Sequence, residues 1–207
     1  GTVSPDDYDK IVDPMYLDIP AGKSNLTKPE LMVLDMLANY NWDRPIYFVT
    51  QGGELNIGLK NYLQFDGYIY KLVPIKSKTT MSEIGQIDAL GMYDKIMNKY
   101  RWESFSKDFF VDYQNLATFN GVQNQRFLFV QTAIGLFNDG EKEKAVEILD
   151  KCQEMIPVEN FPHDTILYGF ANERDLAGMI EAYYLAGEPG KASALCSSMA
   201  DQLLLSC

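Results

Sequence analysis

An internal repeat in the last third of the chain constrains the fold most strongly. The stretch LFNDGEKEKAVEIL, residues 136–149, aligns with YYLAGEPGKASALC, residues 183–196, at an offset of 47 residues. Gly140 pairs with Gly187 in this alignment. Glycine often ends a helix because it adopts the left-handed conformation without a steric penalty. Each copy therefore predicts two helices joined by a tight turn at the glycine.

Apolar residues after each turn recur at helical spacing and predict the face along which the hairpins pack. The first copy has Ala145, Ile148, Leu149, Cys152 and Ile156, and the second has Ala192, Leu195, Cys196, Met199 and Leu203. A single hairpin cannot bury both of its faces, so the two copies should stack. The same pattern predicts that Cys152 and Cys196 are buried thiols, because free cysteine behaves as a small apolar side chain.

The spacing of these residues resembles that of the tetratricopeptide repeat. The aromatic residue, glycine and alanine of that motif occur as Tyr183, Gly187 and Ala192, and the first copy has Leu136, Gly140, Ala145 and the closing Pro157. The offset exceeds the family's usual length of about 34 residues, and the excess falls around residues 160–172. The resemblance implies tetratricopeptide-like antiparallel hairpins over residues 113–207.

The chain before the repeat predicts a lead-in segment at residues 1–26 and a small α/β unit at residues 27–112. The lead-in is rich in proline and aspartate, which is typical of a mobile segment, and MYLDIP (residues 15–20) predicts a short strand. Thr27 or Ser24 should cap a helix that begins near Pro29. The side of this helix expected to carry its apolar residues comprises Leu31, Leu34, Met36, Leu37 and Tyr40.

The middle of the α/β unit predicts two strands. RPIYFVT (residues 44–50) is typical of a buried strand, and DGYIYKLVPIK (residues 66–76) alternates like a second one. Helical turns are expected between them at residues 57–63, and a helix follows with Met92, Ile96, Met97 and Tyr100 inward. The fold class expected is therefore mostly α with a small β component.

Composition excludes several classes of protein. The net charge of −11 argues against binding to nucleic acid or to anionic lipid, since both favour a basic surface. No apolar run approaches the roughly 20 residues that a membrane span requires. The three cysteines, Cys152, Cys196 and Cys207, are too few and too scattered for a zinc cluster or a disulfide framework.

No motif in the chain predicts a catalytic, metal or cofactor site. His163 is the only histidine and is expected to be exposed in the loop between the hairpins. Acidic pairs with glycosidase potential, such as Asp6 with Asp7, arise freely in a chain with 29 acidic residues. The DDYDKIVD stretch lacks the glycine and the closing glutamate of a calcium loop. We therefore expect no enzyme activity, no metal and no cofactor.

A cluster of aromatic residues leaves two interpretations open. Its members are Tyr47, Phe48, Tyr62, Phe65, Tyr68 and Tyr70. They could stack on sugars, which would make the chain a carbohydrate-binding module, or divide between a core and an interface. Arg44 close to Trp42 could form a cation–π pair, or it could tie the end of the helix to the strand.

Three stretches in order, LMVLDMLANYNWDRPIYFV, YLQFDGYIYKLVPIK and MYDKIMNKYRW, resemble the soluble C-terminal part of a bacterial family of large multispanning membrane proteins. That family is of unknown function and is similar to protein O-mannosyltransferases. Seven residues match its motif positions, and the resemblance implies that they are structural or dock onto the membrane domain. These are Trp42, Arg44, Pro45, Gln64, Gly67, Tyr70 and Pro74.

The resemblance implies a setting as well as a fold. Any glycosyl transfer would reside in the membrane-embedded part, and the soluble part would face the periplasm. The function expected is thus that of a non-catalytic accessory domain for protein–protein interaction or acceptor recruitment. Its partners would be the membrane-embedded domain of its own protein and acceptor polypeptides, with no nucleic acid and no membrane insertion by this part.

Overall fold

A computed structural model of the chain describes residues 3, 5–49, 57–77, 86–102, 122–157, 161 and 172–205. These residues are mostly helical with a small sheet, which confirms the predicted fold class. The chain divides into two compact units, Gly1–Asp88 and Ala89–Cys207. The boundary expected between residues 112 and 113 lies outside the described residues, so the three-part division stays a prediction.

The first unit is built around a four-stranded sheet. Its strands are β1 (Tyr47–Phe48), β2 (Leu63–Phe65), β3 (Tyr70–Leu72) and β4 (Gln86–Ile87), in the order β1-β3-β2-β4. Strand β3 is antiparallel to β1 and β2, and β4 is parallel to β2. The described residues of the unit also form a helix, α1 (Lys28–Ala38), and two 3-10 helices, Pro5–Lys10 and Leu59–Tyr62.

The strands only partly follow the sequence expectations. The helical turns and the second predicted strand are confirmed as Leu59–Tyr62 and β3, but the first predicted strand is not buried. Strand β1 lies at an edge of the sheet, where Tyr47 is 44% exposed, and Val49 beyond it is 76% exposed. An edge strand pairs on one side only, so an apolar composition does not ensure burial.

Helix α1 begins where its capping residues predict. The Glu30 carboxylate accepts a hydrogen bond from the backbone N–H of Thr27 at 2.8 Å, and Pro29 occupies the first turn. Glu30 also pairs with Lys23 at 2.7 Å, and both side chains are almost fully shielded from solvent. The hydrogen bond from Lys23 is the largest cause that lowers the pKa of Glu30. The buried carboxylate is therefore fully partnered.

The inner face of α1 differs from the predicted one. Val33 is buried, and Leu34 and Leu37 pack beside it against the core. Leu31 and Met36 are instead 51% and 48% exposed. Apolar residues surround this helix on most sides, so periodicity alone cannot identify the side that packs.

The lead-in packs against the core of the first unit. Val12, Met15 and Leu17 lie against a cluster that includes Tyr62. The Tyr62 hydroxyl accepts a hydrogen bond from the backbone N–H of Tyr16 and donates one to its carbonyl, at 3.2 and 2.7 Å. The strand predicted at residues 15–20 is wrong, because these residues have no regular secondary structure. Contacts with the core, rather than strand pairing, hold this segment.

The second unit is helical in its described residues. Helix α2 (Ala89–Asp94) continues into a π-helical turn, Lys95–Lys99, in which Ile96 is buried. Met92 is also buried, whereas Met97 and Tyr100 are half-buried. The remaining helices are α3 (Val122–Asn138), α4 (Lys142–Met155), α5 (Asn172–Ala186) and α6 (Pro189–Leu205).

The internal repeat corresponds to two helical hairpins, α3–α4 and α5–α6. Gly140 and Gly187 have φ angles of 84° and 90°, which confirms a left-handed glycine at each turn. Ala145 and Ala192 are buried where the second helix of each hairpin begins. The hairpins stack through contacts of α5 with both α3 and α4. Their likeness to the tetratricopeptide repeat stays a prediction.

The packing faces of the two copies are not equivalent. All five predicted residues of the first copy, Ala145 to Ile156, are buried. In the second copy Ala192 and Leu195 are buried and Met199 is half-buried, but Cys196 is exposed, so its predicted burial is wrong. Helix α4 packs against both α3 and α5, whereas α6 packs mainly against α5. The buried face of α6 is therefore narrower, and Cys196 falls beside it.

Hydrogen bonds link the two hairpins across α4, α5 and α6. The Tyr183 hydroxyl donates to the Asp150 carboxylate at 2.9 Å and accepts from Gln153 Nε2 at 2.6 Å. Lys191 of α6 pairs with the other Asp150 oxygen at 2.5 Å. The Tyr183 side chain is fully buried, so these bonds satisfy a hydroxyl that would otherwise lack a partner.

Candidate functional site

The seven predicted motif residues all lie in the first unit, in two groups. Trp42, Arg44 and Pro45 lie between α1 and β1. Gln64 and Tyr70 lie on the β2–β3 hairpin, Gly67 in its turn, and Pro74 just after it. The structure thus places these residues on one small sheet and the loop that leads into it.

The hairpin group lies among backbone and side-chain contacts of the β2–β3 hairpin. Gly67 has a φ of 88°, and the turn around it closes through a hydrogen bond from the Asp66 N–H to the Ile69 carbonyl at 2.8 Å. Gln64 lies on β2 between its neighbours on β3 and β4. The Tyr70 ring lies 5.6 Å from that of Phe65, and burial raises the pKa of Tyr70. All three residues therefore lie within the hairpin, and their role stays a prediction.

The loop group contains a strained tryptophan. Trp42 has a φ of 64°, and its ring centroid lies 4.6 Å from that of Tyr40. The left-handed conformation costs a bulky residue about 1–2 kcal/mol, so the surrounding contacts must hold it. Arg44 contacts Tyr40 through its backbone, because the Arg44 carbonyl accepts a hydrogen bond from the Tyr40 hydroxyl. This contact ties the end of α1 to the segment before β1.

Trp42 and Pro74 meet at a surface cavity of about 390 Å³. The other lining residues come from the first fifteen positions of the chain and are Val3, Tyr8, Ile11, Val12, Asp13 and Met15. Sequence reasoning missed them because it treated this segment as mobile. The sequence did contain a signal that this segment packs. Positions 8, 11, 12 and 15 carry apolar side chains, and a fully solvated acidic segment would not need them.

A second feature of the first unit is the outer face of α1. Leu31, Met32 and Met36 are 51%, 71% and 48% exposed, on the part of the helix surface that runs from beside Val33 to the side opposite it. Three large apolar side chains on one exposed helix face are a common mark of an interaction surface.

The aromatic cluster is divided between the interior and the surface. Tyr62 and Phe65 are buried, and Tyr47 and Tyr68 are 44% and 49% exposed. Phe48 and Tyr70 are half-buried. Sugar binding by these residues stays a prediction.

The described residues contain no group of three side chains arranged to hold a metal ion. His163 lies outside the described residues, so its predicted exposure stays untested.

Comparison with known families gives a match to the first unit. The family model described as TMEM260-associated domain 2 matches residues 1–90, which spans the first compact unit. The match covers 90 of the 207 residues, and the matched family is described as an associated domain. No curated protein and no solved structure gave a significant match. Within the described residues, no helix combines the length and apolar character of a membrane span.

Proposed function

We propose that this chain is a non-catalytic accessory part of a TMEM260-like membrane protein and that it mediates protein–protein interaction. The observation that carries the proposal is the coincidence of the associated-domain match with a compact unit that exposes large apolar side chains. Catalysis of glycosyl transfer would then belong to the membrane-embedded part of the protein.

The outer face of α1 is the surface we assign to docking. Methionine side chains are flexible and adapt to irregular partners, and Met32 and Met36 lie one helical turn apart. Burial of an exposed apolar side chain contributes about 1.5–3 kcal/mol. Burying these methionines together with Leu31 would therefore support a specific contact.

The partner we propose for this face is the membrane-embedded domain of the same protein. An associated domain that accompanies a membrane protein is expected to contact it, and the net charge of −11 disfavours anionic lipid as the contact instead. Arg44 and Pro45 are exposed in the same unit and are available to this contact. Of the motif residues, Gln64, Gly67 and Tyr70 support the hairpin.

The cellular setting follows from the sequence resemblance. We propose that the chain lies on the periplasmic face of a bacterial inner membrane. The stacked hairpins of the second unit would serve as the platform for acceptor polypeptides, because helical-repeat surfaces suit extended peptides.

Site-specific cross-linking in the full-length protein tests this function. A photoreactive amino acid at Met32 should form cross-links with the membrane-embedded domain, identified by mass spectrometry of the linked peptides. The same amino acid at Lys60, an exposed residue of the same unit, is the control. Equal yields at the two positions, or no link from Met32 to the membrane part, would refute docking through α1.

Substitutions then measure the contribution of the face. The double change Met32→Gln and Met36→Gln should reduce the cross-linking yield from a reporter at Leu31 by about tenfold or more, because apolar burial is lost. Asp35→Asn on the same exposed side is the matched control and should leave the yield unchanged. An equal loss in both variants would indicate that the face acts through something other than apolar contact.

A further inference from the structure

We propose that the cavity beside Trp42 is a peptide-recognition pocket that takes an apolar side chain flanked by a basic residue. This assignment rests on the proposed interaction role and names the chemistry of a second partner. It concerns a surface separate in sequence from the outer face of α1, so the two proposals can fail independently.

The size of the cavity suits a short segment of polypeptide. Its volume is about 390 Å³, near the lower end of the range of about 300–1,000 Å³ for binding pockets. A pocket of this size accommodates one large apolar side chain and part of its neighbour.

The walls of the pocket are apolar and joined to each other. Ile11, Val12 and Met15 line it from the lead-in, and Trp42 and Pro74 line it from the rest of the unit. The Val12 N–H donates a hydrogen bond to the Pro74 carbonyl at 2.8 Å, which fixes the two walls together. An aromatic ring, a proline and aliphatic side chains form the surface that anchors apolar or proline-containing segments.

The backbone of Trp42 supports a binding role. A tryptophan at a φ of 64° is conformationally strained, and strain of this kind concentrates at ligand sites where the surroundings hold it. The same residue lines the cavity and packs against the core of the unit. The fold thus holds this indole at the pocket wall despite the conformational cost.

The charges at the pocket indicate which residue of the peptide should flank the apolar side chain. Asp13 lines the cavity, is exposed, and forms no ion pair with a described residue. The only lysine of residues 5–13 is Lys10, which pairs with Asp7 at 2.6 Å, and Asp9 is also exposed. The lead-in side of the pocket is therefore acidic, and an arginine or lysine next to the apolar anchor would gain Asp13 as a partner.

Titration of the isotope-labelled chain with matched tripeptides tests the pocket. The probes are acetyl-Arg-Leu-Pro-amide, acetyl-Glu-Leu-Pro-amide and methyl mannoside, followed by the indole N–H signals in nitrogen–proton spectra. The chain has two tryptophans, and Trp102 is an internal control because its buried indole N–H is bonded to the Ile96 carbonyl. We expect the Trp42 signal to shift and the Trp102 signal to stay in place.

The affinities should depend on charge and on the pocket walls. We expect a Kd on the order of 1 mM for the arginine peptide. The glutamate peptide should bind about 1.5-fold to fivefold more weakly, the range expected for an exposed ion pair. Asp13→Asn should abolish this difference, and Tyr8→Ala should weaken both peptides. Tyr16→Ala is the control, because Tyr16 lies in the same segment, is 68% exposed and does not line the pocket.

Three results would overturn the assignment. They are no Trp42 shift with either peptide at about 10 mM, equal affinities for the two peptides in the unaltered chain, and a shift with methyl mannoside alone. The last result would assign the pocket to sugars instead. If the titration fails and Met32 still cross-links to the membrane domain, only the pocket assignment is refuted. If the peptides bind as expected and Met32 does not cross-link, only the proposed docking to the membrane domain is refuted.

Discussion

At the residue scale, Gly58 lies where the backbone of Asp18 leaves no room for a side chain. Its φ is +88°, and a Cβ built there would lie 2.4 Å from the Asp18 nitrogen and 2.8 Å from the Asp18 oxygen. These are backbone atoms, which cannot rotate away as a side chain would. The contact holds the lead-in against the start of the Leu59–Tyr62 helix.

We expect Gly58→Ala to destabilise the first unit by about 3 kcal/mol or more, from about 1–2 kcal/mol for a left-handed alanine and the remainder from the clash. Gly22→Ala is the matched control, since Gly22 has a φ of +90° and open space around it, and should cost only the conformational part. Amide hydrogen exchange at Leu72 and Val73 measures both. Equal costs would show that Asp18 does not approach Gly58 in solution.

Individual residues also show what the sequence could and could not predict. Thr27 followed three positions later by Glu30 is a capping signal, so the start of α1 was predictable. The left-handed backbone of Trp42 has no local signal, because asparagine or glycine is the usual residue at such a φ. The pocket was equally hidden, since it forms only when Val12 meets Pro74, sixty-two positions along the chain.

At the element scale, Tyr183 is the central residue of the contact between hairpins. We expect Tyr183→Phe to destabilise the second unit by about 1–2 kcal/mol, because the buried Tyr183 hydroxyl no longer bonds to the Asp150 carboxylate and to Gln153. Tyr184→Phe is the control, since that side chain is 56% exposed, and should change stability by less than about 0.5 kcal/mol. Urea denaturation followed by helical circular dichroism measures both.

The same pair of variants gives a pH test. Burial, and then the hydrogen bond to Asp150, raise the pKa of Tyr183 above its ordinary value of 10. The folded state therefore resists ionisation of this hydroxyl, and the stability it contributes is complete below pH 10 and falls as the pH rises further. The unaltered chain and Tyr184→Phe should lose stability more steeply above pH 10 than Tyr183→Phe. Parallel slopes in all three would contradict the buried hydrogen bond.

Elements differed in how far the sequence predicted them. Helical period and a glycine turn are local signals, so both hairpins were predictable, including the left-handed Gly140 and Gly187. Strand β2 was not predicted, and its first residue, Leu63, belonged to the stretch expected to form helical turns. Its three residues form a strand by pairing with β3 and β4, which is not a local signal. Exposure of Cys196 also depended on tertiary structure, namely on which helices pack against α6.

At the scale of the whole molecule, each of the two compact units has its own buried residues. Leu63, Leu72 and their neighbours form the core of the first, and Leu128, Phe129 and Ile148 are fully buried in the second. Because each unit has a buried apolar core of its own, we expect each to unfold cooperatively and separately from the other.

Hydrogen exchange on single-site variants distinguishes two cooperative units from one. Tyr183→Phe should speed exchange throughout α3 to α6 and leave exchange of the amides of β2 and β3 unchanged. Gly58→Ala should speed exchange of the β2 and β3 amides and leave that of α3 to α6 unchanged. The reason is that a substitution raises the population of open states only within the unit whose free energy of unfolding it lowers. Faster exchange in both units from either substitution would mean that the chain unfolds as one. In that case a ligand at the Trp42 pocket would also protect the helical hairpins, since binding to one part would stabilise the whole.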